Sequence, residues 1–543
     1  MEIPHFPYET YRPGQKEAIL FILDAFANGK KFVLLEAPTG AGKSAIAYTV
    51  ARTFMNSYYL TATKILQTQL MRDFRHTKKL EVLKGRSNYT CKKWAEVITQ
   101  ASDGENPIRQ TLISQLAKPE FNFNCNVGVC KLRYKKSSLP ECIGSQNISC
   151  EYWRQIDAAK RAQICVMNFD SFLYQTVYTK SFEERSLLVA DECHNVEEKL
   201  LNFASLSISD KLLDFSFKQQ QDPQKYYEYF RAKKLSEKIK QMWIMAEMAD
   251  DIKLAEKYES LHSKLAIFIS DCELYPDQIN KRWVCNFIKK PEKHPKLRIV
   301  ELKPLFVRDY AQKLVFNMAN RVLMMSATIL SPATVMDSLG IDPKDAAFHR
   351  MPSSFPPEKR KIVLEPVGSL SWKNKHDSYP KLIETVDKIC GDHPDHKGII
   401  HTHNFEIANL LIDECDCAGR FLFQKDFTSK TKMLDTHAKN QNSVIVAPAM
   451  HEGIDLVDNL SRFQIICKVP YPNQNSNPQL KARAKLSWNY YLWLTALKMV
   501  QSYGRSVRHD EDWATTYIVD TDFSRFLEMT INMLPDWFLE AIE

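Results

Sequence analysis

Short runs of apolar residues recur along the chain, and each ends in small or polar positions. In the first 330 residues they are KFVLLEAPTG, SYYLTATK, AQICVMNF, SLLVADECHN and RVLMMSATIL. A second series follows as KGIIHTHNF, NSVIVAPAMHEGIDL, FQIICKVPYP and TTYIVDTDF. Near-continuous apolar runs of this length read as strands buried on both faces, the signature of parallel sheets. Segments of helical pattern, such as KSAIAYTVARTFM and FEIANLLIDEC, lie between them. The alternation predicts parallel α/β layers, and two series predict two α/β domains.

Two regions break the pattern. Residues 84–162 hold five cysteines and little periodicity, and residues 203–314 are charged and mainly helical in pattern. Both fall inside the first series, so they read as insertions in one domain. The expected organisation is a discontinuous first domain over 1–83, 163–202 and 315–340, insertions at 84–162 and 203–314, and a second domain over 341–543.

Composition narrows the class only a little. A chain of 543 residues exceeds a single compact core, and 44% hydrophobic with 25% charged residues is ordinary for a globular protein. Apolar runs such as RFQIICKVP fall well short of the ~20 residues that span a bilayer, so no membrane partner is expected. The start, MEIPHFPYETYRPGQ, lacks the basic-then-apolar order of an export signal. It leads within a few residues into the first α/β series, so no nuclease domain is expected ahead of it. Thirteen cysteines, an odd number without export features, favour thiols or metal ligands in a reducing, intracellular compartment: the cytoplasm, with the nucleus left open. The net charge of +8 permits a polyanionic partner.

The chemistry begins at EAPTGAGKSAIA, which follows a strand and opens a helix. This is the setting of a phosphate-binding loop spanning Ala37, Pro38, Thr39, Gly40, Ala41, Gly42, Lys43 and Ser44. Gly40 and Gly42 let backbone N–H groups approach phosphate oxygens, and the helix N-terminus adds positive potential. Lys43 would reach the β and γ phosphates, and the Ser44 hydroxyl would ligate Mg²⁺. Ala37 stands where the generic motif has its first glycine. SLLVADECHN supplies the complementary acids: Asp191 to hold Mg²⁺ and Glu192 to polarise the attacking water. His194 would couple that site to the rest of the molecule. Far downstream, QSYGRSVRH carries Arg505 and Arg508, three apart and so on one face of a helix, as fingers for a γ phosphate. Lys43 in one domain and arginines in another imply a cleft that opens and closes with ATP hydrolysis.

Taken together these segments resemble the XPD/DinG (Rad3-like) iron–sulfur family of superfamily 2 DNA helicases, in order along nearly the whole chain. YRPGQKEAI, TATKILQTQL, DECH, MSATIL, HEGIDL and QSYGRSVR match successive family motifs, while LKGRSNYTC and CEYWRQIDAAKRAQICVMNF resemble the flanks of its cluster domain. The resemblance implies two RecA-like motor domains, with an iron–sulfur cluster domain and a mainly helical arch inserted in the first. It further implies that Gln15 contacts the base and that Ser326 and Thr328 relay nucleotide state to DNA. Glu452, Gly453 and Asp455 would line the cleft, and Gln501, Arg505 and Arg508 would reach the γ phosphate.

Cys91, Cys125, Cys130, Cys142 and Cys150 offer five thiols for four places. Spacing alone leaves zinc and iron–sulfur near even, since no CxxC pair is present. The resemblance favours a [4Fe–4S] cluster on Cys91, Cys130, Cys142 and Cys150, with Cys125 the alternative. Cys165 and Cys193 lie in strand and acidic-box positions, and Cys415 and Cys417 show no four-ligand set in sequence.

KGRSNYTCKKW and CKLRYKK interleave cations with rings, so Tyr89, Trp94 or Tyr134 could stack bases of a single strand. The implied activity is an ATP-dependent DNA helicase, working as a monomer on single-stranded, fork or R-loop DNA. It would translocate 5′ to 3′ and separate duplex with the cluster domain as a wedge. The alternatives are a translocase remodelling R-loops or protein–DNA complexes, and a nucleotide-gated DNA-binding module without turnover.

Overall fold

A computed structural model describes residues 3–89, 150–209, 222–249, 251–289, 298–448, 456–507, 509 and 511–543. Its first sheet opens with β1 (Phe32–Glu36), β2 (Ser57–Thr61), β3 (Leu80–Val82), β4 (Ile164–Asn168) and β5 (Arg185–Asp191). The chain then leaves for a separate antiparallel sheet of β6 (Leu206–Ser209), β7 (Trp283–Lys289) and β8 (Arg298–Pro304). It returns to the first sheet with β9 (Ala319–Ser326) and β10 (Ala346–Arg350), giving the all-parallel order β10-β1-β9-β5-β2-β4-β3. β1 and β2 are buried at every position, which is why their sequences are continuous apolar runs rather than alternating ones.

The second sheet is also parallel: β11 (Ile362–Gly368), β12 (Gly398–His401), β13 (Phe421–Phe423), β14 (Val444–Ala447), β15 (Phe463–Ile466) and β16 (Thr515–Asp520), in the order β11-β16-β15-β12-β14-β13. The molecule therefore carries two parallel α/β domains of RecA-like type.

One expectation is adjusted. Residues 346–350 pair with β1, so the first sheet extends to Arg350 rather than closing at 340. The 203–314 insertion is mainly helical among the described residues and also carries the β6-β8-β7 sheet. The helices Pro223–Ala232, Leu235–Met248 and Ile252–Leu274 pack on the β6-β8-β7 sheet through Phe230, Leu265, Phe268 and Trp283. The Trp283 indole N–H reaches Asp271 at 2.7 Å, so its one polar group stays satisfied in that core.

Topology fixes where chemistry can occur. β1, β9 and β5 are neighbours, so the segments leaving their C-terminal ends emerge side by side. These segments are the loop at 37–44, the turn after Ser326 and the acidic pair Asp191–Glu192. Ligands of open α/β sheets bind in this position.

Candidate nucleotide site and domain interface

Gly40 and Gly42 adopt left-handed conformations, with φ of 84° and 77°. The helix Lys43–Thr53 starts directly after them. A Cβ on Gly42 would also drive into the Gln15 side chain. Gln15 is buried, and its amide donates to the carbonyls of Ala41 (3.0 Å) and Gly42 (3.3 Å) while its oxygen accepts from Arg12 N (2.7 Å). It thus holds the loop from behind. Arg12 adds a bond to Gly40 O. Ala37 N bonds Ser326 O at 2.9 Å, and Lys43 Nζ donates to Ala37 O at 3.1 Å, so the loop is stitched to β9 and to itself.

Glu36, immediately before the loop, was not singled out in the sequence. Its carboxylate is fully buried, ion-paired with Arg350 at 2.8 Å, and accepts the backbone N–H groups of Ile329 (3.0 Å) and Leu330. One buried charge ties β1, β10 and the turn after β9 together. Its only sequence signal is a lone acid closing an apolar strand.

Asp191 ends β5 and lies beside Glu192, which takes a left-handed φ of 53°. A non-glycine residue in that region carries roughly 1–3 kcal/mol of strain. The Asp191 carboxylate accepts Glu192 N at 3.0 Å and holds the turn. The Tyr59 hydroxyl lies 3.4 Å from Asp191, with the Ser44 hydroxyl also against the ring oxygen. Burial, then the neighbouring Glu192 charge, pushes the Asp191 carboxyl well above the ordinary carboxylate range; Lys43 only partly offsets this. Glu192 behaves oppositely. Burial opposes its charge, but Lys43, then Arg505 and the Ser326 hydroxyl, hold it below the usual range. Two adjacent carboxyls thus differ in proton affinity, with Glu192 the one held ionised.

A hydrogen-bond chain leads from Glu192 into the second domain. Gln501 Nε2 donates to His194 Nε2 at 2.8 Å, leaving the imidazole proton on Nδ1 to reach Ser326 Oγ at 2.7 Å. Ser326 Oγ lies 3.4 Å from Glu192 Oε2 and accepts Thr328 N at 3.0 Å. Gln501 belongs to the helix Trp488–Tyr503, which follows β15. That helix also sends Trp493 Nε1 to Ile329 O at 2.9 Å. Nearby, Arg483 meets Glu197 at 2.9 Å with both side chains buried, and it also reaches Ser338 and stacks on Tyr490. Neither member of this clamp was expected from sequence.

The helix stops at Tyr503, with Gly504 at its end, so Arg505 does not sit on the helical face expected for it. It still lies close enough to Glu192 to favour that carboxylate. Pro38 and Thr39 of the loop face Arg360, Gln464, Tyr503 and Gly504 across one cavity, which places the loop at the cleft between the domains. Cys91, Trp94, Cys125, Cys130, Tyr134, Cys142, Glu452, Gly453, Asp455 and Arg508 lie outside the described residues. Cys150 is half-buried and stands immediately before the helix Glu151–Arg161. Cys165 and Cys193 are buried in the first domain.

A second cavity of about 360 Å³ opens between the first domain and the insertion; Arg86, Tyr152, Tyr174 and Tyr178 line it on one side and Glu256 and Glu259 on the other. Tyr89 packs against Tyr152 with ring centroids 5.5 Å apart, and Arg86 lies over Tyr152. Among the described residues no helix is long and apolar enough to cross a membrane.

Two parallel sheets thus share a phosphate-loop cleft, with an acid box bonded across to the opposite domain. Two family models match this chain: the type III restriction enzyme res subunit over residues 9–221, and the helicase C-terminal domain over residues 396–541. ATP-dependent DNA helicase CHL1 of Scheffersomyces stipitis is 31% identical over 236 residues, 35% of this chain and 27% of that protein. CHL1 of Candida albicans is 33% identical over 115 residues, 18% of this chain and 13% of that protein. The matches thus span about a quarter or less of these relatives' own length. A solved XPD helicase aligns over 97% of this chain and 98% of its own, with a TM-score of 0.61 and 14% identity. S. tokodaii Xpd4 aligns over 98% and 99%, with a TM-score of 0.57 and 13% identity. At these identities the likeness is one of fold. The two family models fall one on each α/β domain, and the helicase likeness runs through both.

Proposed function

We propose that this protein is an ATP-dependent DNA helicase whose ATP site lies between its two motor domains. The observation that carries this reading is the chain Gln501–His194–Ser326–Glu192. It gives the acid box a direct bond to the domain that must move. Lys43 and the backbone of residues 37–42 hold the triphosphate, while Ser44 and Asp191 hold Mg²⁺. Glu192, kept ionised, orients the attacking water, and Arg505 with Arg508 answers the charge developing on the γ phosphate. Glu452, Gly453 and Asp455 belong to the same cleft. Gln15 acts by bracing the loop.

The cysteines of 84–162 fit a [4Fe–4S] cluster on Cys91, Cys130, Cys142 and Cys150, with Cys125 in reserve; bound there, it would brace a strand-separating wedge. The single strand would run through the tyrosine-lined cavity, and translocation would be 5′ to 3′ by a monomer inside the cell. The CHL1 and XPD proteins support this reading by family.

The test is ATP turnover with and without single-stranded DNA, alongside strand displacement on fork and R-loop substrates of both polarities. Wild type should be DNA-stimulated and Lys43→Ala inactive. A wild type whose turnover DNA leaves unchanged, with Lys43→Ala behaving alike, would sink the motor reading. Anaerobic protein should be coloured, with iron and sulfide reduced by Ser at Cys91 or Cys150.

A further inference from the structure

The helix Lys375–Asp392 of the second domain ends beside the short turn Asp416–Arg420. There the fold gathers residues that are distant in sequence. One carboxylate oxygen of Asp387 and the thiols of Cys415 and Cys417 all lie within 4.8 Å of one another. Cys390 stands three residues after Asp387 on the same helix, hence on the same face. Its thiol, like that of Cys415, lies near Cys417. Sequence spacing gave Cys415 and Cys417 no four-donor set; the fold adds Asp387 to them and brings Cys390 alongside as a fourth donor.

We infer that Asp387, Cys390, Cys415 and Cys417 form a binding site for one thiophilic divalent cation of the zinc class. Three soft thiolates and one carboxylate make an ordinary zinc donor set. Zinc–sulfur bonds of about 2.3 Å place tetrahedral donors roughly 3.8 Å apart, so Asp387, Cys415 and Cys417, within 4.8 Å of one another, need only slight contraction. A four-iron cube holds its ligands on separate corner metals, and these donors stand too close together for one.

The surroundings suit a metal site. Both Asp387 oxygens accept backbone N–H groups, Asp416 N at 3.1 Å and Cys417 N at 2.9 Å, which orients the turn and leaves lone pairs on the carboxylate. Arg420 bonds the Cys390 carbonyl at 2.7 Å and those of His393 and His396, so a cation already sits beside a set that would carry net negative charge when loaded. Loading would transfer the three thiol protons to solvent. The bland reading is an apolar contact, since Cys390 and Cys415 also join the second-domain core. A packing role accounts for buried sulfur. Asp387 also caps the turn through its two backbone bonds, and the metal reading adds that its carboxylate and the two thiols converge within 4.8 Å.

The site fastens the end of one helix to the turn leading into β13, the edge strand of the second sheet. It stands apart from the nucleotide cleft and does not depend on the function proposed above.

Protein purified reduced and anaerobically should hold zinc that survives Ser at Cys91, Cys130, Cys142 and Cys150. Cys415→Ser and Cys417→Ser should each weaken zinc binding at least tenfold, and Asp387→Asn about tenfold. Cobalt substitution should give a thiolate charge-transfer band that these variants lose and that Cys467→Ser, a buried control in the same domain, keeps. Because Ser variants can misfold, wild type is also alkylated with iodoacetamide. Zinc should protect Cys390, Cys415 and Cys417 together, and a chelator should expose them. Equal labelling with and without zinc, or a disulfide between Cys390 and Cys415 or Cys417 in the reduced preparation, overturns the site.

Discussion

Gln501 in the second domain donates to His194 in the first at 2.8 Å, and that bond decides which ring nitrogen of His194 keeps the proton. Movement of the second domain therefore reaches Ser326 and Glu192 through two buried side chains. Gln501→Ala is expected to uncouple the machine before it disables chemistry. DNA-stimulated turnover should fall roughly tenfold, the worth of one good hydrogen bond, with a smaller change in basal rate. Steady-state ATPase assays with and without single-stranded DNA check this; equal losses in both would remove the relay.

Arg350→Met leaves Glu36 as a fully buried carboxylate without its partner. A loss of about 3 kcal/mol in denaturant unfolding is expected, because an uncompensated buried charge costs more than the pair contributed. The same variant should raise KM for ATP, since Glu36 anchors the strand that leads into the loop.

Arg483 and Glu197 join the two domains in a buried pair, and either single change should destabilise strongly. The double variant Arg483→Met/Glu197→Leu should recover most of the loss. A double-mutant cycle from urea unfolding gives the coupling, and strict additivity would mean the pair is not a unit.

Asp191 provides a pH signature. Its folded carboxyl binds protons more tightly than in the unfolded chain, so folding is penalised wherever the group must be charged. That penalty is absent below the ordinary carboxylate range and is reached in full above the raised value. Asp191→Asn should therefore raise the melting temperature of nucleotide-free protein by a few degrees at pH 8, and the advantage should vanish toward pH 4. A constant difference across that range would contradict the assignment.

Tyr174→Ala and Tyr178→Ala test the strand path. If bases stack there, each should weaken single-stranded DNA binding by about 1–3 kcal/mol at fixed salt while leaving DNA-free ATPase unchanged.

Much of this was legible before any coordinates. Fully buried parallel strands leave continuous apolar runs, and phosphate loops impose glycines, so β1, β5, β9 and residues 37–44 announced themselves. β10 did not: its sequence AAFHR is only half-buried and reads as neither strand nor core. In the 203–314 insertion, long charged helices masked the sheet, in which β6 pairs with β8 from almost a hundred residues away. Arg505 was placed on a helix by its spacing to Arg508, but the helix ends at Tyr503. The clamp of Arg483 on Glu197 and the gathering of Asp387, Cys390, Cys415 and Cys417 depend on which elements become neighbours. No local pattern encodes that.

The packing of Tyr89 on Tyr152 has a consequence for how this chain can vary. Tyr89 and Cys150, the described residues on either side of 90–149, both lie against the core of the first domain. The two points where the chain leaves and re-enters this domain are therefore held together by the domain itself, and a change of length between them need not disturb the pairing of β3 with β4.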